Sequence, residues 1–436
     1  MSAASISFRG LSNPLRSIGL LATLAASPVV AIFLATNAAN VGNLAFNMLF
    51  SRLLGPAQFH DLAVMLTIQL AVLSVFGAAQ MAVSQLTASG LSTYPNLARL
   101  TQLSRVSFLV LLLAAVLLSP LAFSEQVAAT LGIEDRSLLV ILLLSLPVSL
   151  PLCLARGAAL GRLSVRAMVV SVNLEMVIRL VGSVAVWFLG FGLPGIVLVV
   201  NLSLIAGWWP VRRETSSLKQ GWNPPRRDHK LAPTIALMAA PFALLQLAQV
   251  GHLDGELLLS KMLLSDHESD LVAGLSLVQR IQFYACFGLA GVLLPLVVRA
   301  VREGRSVEKS ILGVASIIVC TGSLLTIAAL SSPDMVISVV AGVEFRPAGS
   351  ALVPAILSAF FFTVSYTAAT LLAAMDDRSG IAMIALALPV ALCTHWIAST
   401  HGTLEILMWA KAFVQFALCC CLMLRVGRAI LLRLKE

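Results

Sequence analysis

The chain consists of long apolar runs separated by short breaks that are charged or rich in proline and glycine. About 20 apolar residues allow a helix to cross the ~30 Å hydrocarbon core of a membrane. Within lipid the backbone must satisfy its own hydrogen bonds, so each run predicts a helix. The sequence therefore predicts an all-α integral membrane protein with about twelve transmembrane helices, near residues 25–50, 61–86, 105–124, 138–158, 167–190, 193–211, 232–260, 270–298, 309–330, 350–374, 379–399 and 402–425.

Composition and charge support this pattern and orient it. Of the 436 residues 59% are apolar and only 11% are charged, whereas globular chains have about half and a quarter. Cytoplasmic loops hold the excess of Lys and Arg. With both termini in the cytoplasm, 22 of the 29 basic residues lie on that side, four lie outside and three lie within spans. We therefore expect a multi-pass membrane protein with both termini in the cytoplasm. The net charge of +9 suits anionic membrane lipids as partners, and nucleic acid is not expected as one.

A repeat divides the chain into two halves. The segment VGNLAFNMLFSRLLGPAQFHDL at 41–62 returns 209 residues later as VGHLDGELLLSKMLLSDHESDL at 250–271. Six predicted helices separate the copies, so both copies have the same orientation in the membrane. Parallel repeats of this kind occur in several transporter folds. We predict an N-terminal six-helix lobe over 1–210, a basic cytoplasmic linker over 211–231 and a C-terminal six-helix lobe over 232–436.

Two rows of polar side chains occupy matching positions in spans 1 and 7. At 100° per residue, each row covers one helix face about 120° wide. Hydrogen bonding between the helices of each half is the structural interpretation. The matched rows favour instead a shared cavity in which they contact sugar or water. The rows are Asn37, Asn40, Asn43 and Asn47 in the first copy, opposite Gln246, Gln249, His252 and Glu256 in the second.

Charged groups at the membrane centre cost roughly 2.5 to 3.5 kcal/mol, so they are functional candidates. Arg280 lies about 15 Å into span 8, and a guanidinium suits a substrate phosphate. An internal ion pair between Arg280 and Asp254 is the structural alternative. Lys411 in span 12 and Arg52 in an outer loop are further candidates for substrate binding. Asp254 and Glu256 occur in the second copy only, and we expect one of them to couple transport to protons or sodium.

Other candidate chemistry is sparse. Glu175 and Arg179 in span 5 are four residues apart and can pair along the helix, so we interpret them as structural. The sequence GFGLPG has the glycine spacing of a dinucleotide-binding loop, but it lies in a tight turn with no strand before it. All seven cysteines fall within apolar runs, where they serve as small packing residues. We therefore predict a protein that is not an enzyme and has no cofactor or metal.

Four segments carry a family resemblance. In order and register they are similar to polysaccharide flippases of the multidrug/oligosaccharidyl-lipid/polysaccharide (MOP) exporter superfamily, although Asp61 stands where those proteins usually have glycine. The resemblance implies two six-helix lobes in the V shape of MATE and flippase proteins, around a cavity that opens alternately to each side. The segments are LFSRLLGPAQFHDLAVMLTIQLAVLSVFGAAQMAVSQLTA (49–88), LARGAALGRLSVRAMVVSVNLEMVIRLVGS (154–183), LDGELLLSKMLLS (253–265) and VVAGVEFRPAGSALVPAIL (339–357).

This resemblance implies a flippase or exporter of the bacterial inner (plasma) membrane. It would move a polyprenyl-phosphate-linked oligosaccharide, or a related envelope glycolipid, across that membrane by alternating access. A polysaccharide polymerase or glycosyltransferases are the expected protein partners. One alternative is a cation-coupled multidrug antiporter of the same superfamily. Another is a non-transporting membrane component of a polysaccharide assembly complex. A membrane-embedded glycosyltransferase is disfavoured because the outer loops are too short for a catalytic domain.

Overall fold

The computed structural model describes all but a few short segments of the chain, and every regular element in the described ranges is helical. Within the predicted linker, helix continues to Ser216 and starts again at Leu231, while 217–230 lie outside the description. The linker prediction therefore falls mostly on residues of which nothing structural is said. The described ranges are 28–88, 100–133, 135–216, 231–302, 308–375, 377–399 and 403–433.

The helices of the described ranges follow one another along the chain in this order. In the first half they are α1 (Pro28–Ala88), α2 (Leu100–Ala122), α3 (Glu125–Leu131), α4 (Ser137–Leu143), α5 (Leu146–Gly161), α6 (Val165–Val177), a π turn (Ile178–Gly182), α7 (Ser183–Phe188) and α8 (Gly192–Ser216). In the second half they are α9 (Leu231–Leu263), α10 (Asp266–Arg302), α11 (Glu308–Ser331), α12 (Pro333–Val340), a 3₁₀ segment (Val343–Ala351), α13 (Leu352–Ala374), α14 (Ser379–Ser399) and α15 (Leu404–Arg433).

Helix α1 is broken at Gly55, whose φ of 71° and ψ of 174° lie in a region that glycine reaches without a Cβ clash. Asn37 and Leu73 line one cavity, although about 54 Å would separate them along a straight helix. The chain therefore folds back at this break. We call residues 28–54 the first arm of α1 and residues 56–88 the second arm; they correspond to predicted spans 1 and 2.

Nine helical segments in the described ranges are long and apolar enough to cross a membrane, or ten if a pair bent by 115° counts as one span. One of the nine, Asn37–Ala88, contains parts of both arms of α1, and α10 contains predicted span 8. All twelve predicted spans thus overlap described helices, with residues 25–27 and 402 outside the description, which confirms the predicted all-helical membrane fold. The bend after span 9 was not predicted; it occurs where Pro333 begins α12, at a helix position that proline favours.

Each half of the chain forms its own helical core, and two further clusters join the halves. At the end of the bundle where α1 turns back, Phe50 and Phe59 belong to the same buried apolar cluster as Phe345 of the C-terminal lobe. At the other end, Leu86 of the second arm belongs to a cluster with Leu231 of α9. Leu257 of α9 also lies in the first cluster, so the second arm of α1 and α9 share a cluster at both ends.

Helix α5 approaches the second arm of α1 through two glycines one turn apart. A Cβ added to Gly157 would lie 2.6 Å from the carbonyl oxygen of Gln80, and one added to Gly161 would lie 2.5 Å from the carbonyl oxygen of Ser84. Small residues four apart allow membrane helices to approach this closely. This contact fixes the second arm, and with it one wall of the cavity described below.

Replacing Gly157 with alanine is expected to destabilise the protein by about 1–3 kcal/mol, because a backbone carbonyl cannot move aside as a flexible side chain does. Gly313→Ala is the matched control, since a Cβ added there meets nothing within 4 Å and alanine favours helix by up to about 1 kcal/mol. Thermal unfolding of the purified protein in detergent, followed by loss of the monomer peak, measures both. A Gly157→Ala melting temperature equal to that of the control would contradict the close packing.

Candidate functional site

A cavity of about 420 Å³ lies between the two lobes, in the size range of small-molecule sites. Its wall comes from both arms of α1, from the π turn and from α10. No residue of the described chain that lines it is acidic. The polar residues of the wall are Asn37, Asn40, Asn43, Asn47, Gln69, Arg179, Arg280 and Tyr284.

The cavity is closed at one end and open at one side. Phe46 and Leu277 line it and also belong to the apolar cluster that joins the lobes, so that cluster closes the cavity at the end where α1 turns back. Val41, which is 66% exposed, and Ala285, also exposed, line its side. The cavity therefore reaches the surface of the helical bundle between the first arm of α1 and α10.

The structure places all four asparagines of the first predicted row in the cavity wall. Asn43 accepts a hydrogen bond from Arg179 through Oδ1, at 3.1 Å. Asn47 instead donates Nδ2 to the backbone carbonyl of Asn43, at 2.8 Å. Asn40 is exposed. The row is therefore positioned to contact a ligand, and its contact with sugar stays a prediction.

The second predicted row lies elsewhere, because Gln246, Gln249 and His252 do not belong to the cavity wall. His252 is buried in the C-terminal lobe, where Nε2 contacts the carbonyl oxygen of Ile384 at 3.0 Å and Nδ1 contacts Nε2 of Gln415 at 3.0 Å. The sequence predicted that the two rows face each other across one shared cavity, and the structure does not show this for the second row. The cavity occupies only the seam between the first arm and α10, whereas α9 packs against the second arm.

Arg280 makes the internal ion pair with Asp254 and also lines the cavity, while its contact with a substrate phosphate stays a prediction. Its Nε donates to Oδ1 of Asp254 at 2.9 Å, and its Nη2 donates to Oγ1 of Thr67 in the opposite lobe at 2.6 Å. Oδ1 of Asp254 also accepts a hydrogen bond from Oγ of Ser276 at 2.7 Å. Arg280 nevertheless lines the cavity. The ion pair with Asp254 therefore holds the guanidinium of Arg280 in the cavity wall and does not draw it away from the cavity.

Lys411 and Glu256 form an ion pair inside the C-terminal lobe, with relative exposures of 1% and 0%. The Lys411 ammonium also donates to the carbonyl oxygen of Leu253 at 2.9 Å and to Oε1 of Gln279 at 2.8 Å. Neither Lys411 nor Glu256 belongs to the cavity wall. A role for Lys411 in binding substrate phosphate would therefore need a rearrangement of the lobe.

Arg52 lies at the closed end and links the two lobes. It donates to the backbone carbonyls of Met48 in its own arm and of Val339 and Val340 at the end of α12. A cationic side chain stabilises a helix C-terminus by satisfying its last carbonyls. Arg52 is exposed and does not line the cavity. In this conformation it contributes to closure, and its predicted contact with substrate is untested.

Three polar wall residues, Gln69, Arg179 and Tyr284, were not among the predicted binding residues. Gln69 donates to Oδ1 of Asn201 at 2.9 Å, which fixes its amide at the cavity. Arg179 pairs with Glu175 at 3.0 Å, as its spacing predicted, and it lines the cavity as well. The sequence did indicate Arg179, since a charged residue within a span is a functional candidate by default. We interpreted it as structural because Glu175 lies four residues away and can pair with it.

Comparison with known proteins places this arrangement among solved folds. A scan against protein-family models found none that matches the chain, and a search of curated proteins found no match. Among solved structures, the inward-facing conformation of a multidrug resistance MATE family transporter of the MOP superfamily aligns with a TM-score of 0.72 and 13% identity, covering 91% of this chain and 96% of that one.

Two further structures give the same result. A MOP superfamily transporter from Pyrococcus furiosus, in which reverse polarity of the binding pocket suggests a different function, has a TM-score of 0.64 and 14% identity, covering 93% of this chain and 95% of that one. The Vibrio cholerae MATE transporter VcmN in its bent form has a TM-score of 0.60 and 14% identity, covering 94% and 97%. Since the likeness spans both lobes, this chain has the fold of the MATE transporters of the MOP superfamily.

Proposed function

We propose that the chain is an exporter of the MOP type that moves an anionic amphiphile across the membrane by alternating access. The substrate we infer is a polyprenyl-phosphate-linked oligosaccharide or a related envelope glycolipid. One observation supports this above the others: the cavity wall combines two guanidinium groups with several amides and no carboxylate among its described residues. Such a wall attracts an anion that carries hydroxyl groups.

Each part of the wall suits one part of this substrate. A guanidinium presents a planar fork of donors that fits phosphate oxygens. The amides of the asparagine row and of Gln69 donate to and accept from sugar hydroxyls. The exposed side of the cavity at Val41 and Ala285 lets a hydrocarbon chain remain in the lipid while the polar headgroup enters. The protein thus binds the headgroup while the hydrocarbon chain of the substrate stays outside the cavity.

Release to the other side requires the closed end to open. In this conformation His60 of the second arm contacts Oγ of Ser260 in α9 at 2.9 Å. Arg52 holds the end of α12 across the same boundary. Rocking one lobe against the other breaks these few polar contacts and separates the apolar cluster, without any covalent chemistry. Coupling of this motion to protons or sodium at Asp254 or Glu256 remains our proposal for its energy source.

A cation-coupled multidrug antiporter is the second candidate. It is favoured by the likeness to a multidrug resistance MATE family transporter. The carboxylates of Asp254 and Glu175 lie directly behind the cavity arginines, so rotation of an arginine would present a negative charge to a cationic drug. The substrate's sign of charge therefore separates the two candidates.

Reconstitution into proteoliposomes decides between them. We expect translocation of a fluorescent short-chain polyprenyl-diphosphate-linked sugar, no comparable movement of a neutral glycolipid with the same sugar, and no extrusion of ethidium. Empty liposomes provide the background rate. Ethidium extrusion without movement of the lipid would establish the antiporter instead. Movement of neither would overturn both transport functions and leave a structural component of an assembly complex, with a polymerase or glycosyltransferases as partners.

A further inference from the structure

Arg179 lies on the π turn Ile178–Gly182, in the wall of the cavity. Regular α-helix ends before this turn at Val177 and starts again at Ser183, so the irregularity is confined to the turn that carries the arginine. Such π turns are rare and frequently occur at functional sites. The backbone irregularity thus points to Arg179 independently of its charge.

The charges around Arg179 do not cancel. Glu175 lies between two arginines: its Oε2 accepts from Nη2 of Arg156 at 2.7 Å, and its Oε1 accepts from Nη2 of Arg179 at 3.0 Å. Two guanidinium groups and one carboxylate leave one positive charge. Arg280, in contrast, pairs one to one with Asp254. The uncompensated charge of the cavity wall therefore lies beside Arg179.

Arg156 is fixed so that it keeps its hold on Glu175. Its Nε donates to Oγ of Ser171 at 2.9 Å, and that hydroxyl donates to the carbonyl oxygen of Gly207 at 2.6 Å. A Cβ added to Gly207 would lie 3.0 Å from Oε2 of Glu175 and 3.1 Å from Nη2 of Arg156, so glycine makes room for the pair. Glu175 consequently cannot turn fully toward Arg179.

Arg179 retains capacity for a ligand. A guanidinium has five donor hydrogens, and the contacts described above use Nη1 for Asn43 and Nη2 for Glu175. Its buried Nε has no acceptor within the described chain. An unsatisfied donor of this kind is costly, because it has lost water without gaining a partner. Because Nε itself is buried, the donors left for an anion in the cavity are the second hydrogens of Nη1 and Nη2, which these contacts do not use.

We propose that Arg179 is the principal anion-binding residue of this cavity and that, with Arg280 from the opposite lobe, it binds a diphosphate group. This inference rests on the proposed function and names the chemistry that the site selects. One guanidinium from each lobe contacts the same diphosphate, so the bound group links the lobes. Arg156 is a positioning residue, because it acts only by holding Glu175.

Binding of inorganic pyrophosphate and of farnesyl diphosphate to the purified, detergent-solubilised protein tests this proposal by isothermal titration calorimetry. Arg179→Gln is expected to weaken both ligands roughly tenfold or more, since hydrogen bonds to charged groups contribute about 1.5–3 kcal/mol. Arg179→Lys should lose less, because it keeps the charge but not the fork. Arg136→Gln, which removes an exposed cation that is paired with Glu125 and does not line the cavity, should bind as wild type.

Glu175→Gln supplies a second, independent variant, since removing the carboxylate leaves both arginines uncompensated and should tighten pyrophosphate binding. Monomeric elution in size-exclusion chromatography verifies that each variant is folded. Wild-type protein that binds no pyrophosphate, an Arg179→Gln affinity equal to wild type, or a Glu175→Gln variant without tighter binding would overturn the proposal. Farnesyl diphosphate should bind more tightly than pyrophosphate if the site belongs to a lipid headgroup. Diphosphate binding through Arg179 without lipid translocation would sink the transport function and leave this inference standing.

Discussion

Replacing Lys411 with methionine is expected to destabilise the protein by about 3–5 kcal/mol, because the substitution leaves the carboxylate of Glu256 buried without its counter-charge. Both side chains are almost completely inaccessible, and the ammonium also satisfies the carbonyl of Leu253 and the amide oxygen of Gln279. Methionine fills the volume of the lysine stem but replaces none of these hydrogen bonds. Thermal unfolding in detergent, compared with wild type, measures the loss.

The double variant Lys411→Met with Glu256→Gln is the control that isolates the charge. A neutral pair of similar volume avoids the desolvation cost of both ions, so this variant should recover most of the lost stability. The interaction energy between the two side chains then follows from the stabilities of Lys411→Met, of Glu256→Gln and of the double variant. If Lys411→Met alone were as stable as wild type, Glu256 would have to be neutral in the folded protein.

This pair bears directly on the predicted ion coupling. The oxygens of Glu256, Leu253 and Gln279 surround the Lys411 ammonium, as oxygens would surround a bound cation. A transported sodium ion or proton could act at Glu256 only by displacing the ammonium or by binding the other carboxylate oxygen, Oε2, which has no hydrogen-bond partner in the described chain. Glu256 is therefore a coupling candidate at which a transported cation would have to compete with the Lys411 ammonium.

Most of the fold could be predicted from the sequence, because the membrane makes hydropathy an unusually direct signal. Each apolar run had to be a helix, whereas the orientation predicted from the basic loops stays a prediction. The repeat of 41–62 at 250–271 then required two parallel halves. The bend at Pro333 and the 3₁₀ segment that follows were beyond this signal, since length and hydropathy do not distinguish a straight span from a bent one.

The candidate site was predicted only in part, and the misses share a physical cause. A repeat specifies the order and direction of helices but does not determine which of two symmetry-related seams is packed. The row on α1 therefore reached the cavity, while Gln249 and His252 of the row on α9 are buried within their own lobe. Ion pairs between residues far apart in the sequence could not be predicted either. Lys411 lies 155 positions from Glu256, whereas a sequence shows only pairs within one or two helix turns.

Replacing Arg280 with alanine is expected to reduce translocation of a polyprenyl-diphosphate-linked sugar by about tenfold to a hundredfold. The variant loses a charged donor to the phosphate, an interaction of about 1.5–3 kcal/mol. It also leaves Asp254 buried beside the cavity without its cation, and this charge repels the substrate. Arg280→Lys should retain part of the activity because it keeps the positive charge. It should not retain all of it, because an ammonium cannot reproduce the separate bonds of Nε to Asp254 and of Nη2 to Thr67.

The double variant Arg280→Ala with Asp254→Ala separates the two causes. It removes the stranded carboxylate, so the wall is restored to its original net charge and the lobe should fold normally. If Arg280 contacts the substrate, the initial translocation rate per reconstituted monomer stays low in the double variant. If the rate returns to the wild-type value, Arg280 only neutralises Asp254, and recognition of the phosphate must lie with Arg179 alone. A fully active Arg280→Ala single variant would contradict both roles, since neither the lost donor nor the uncovered charge would then affect the passage of an anion.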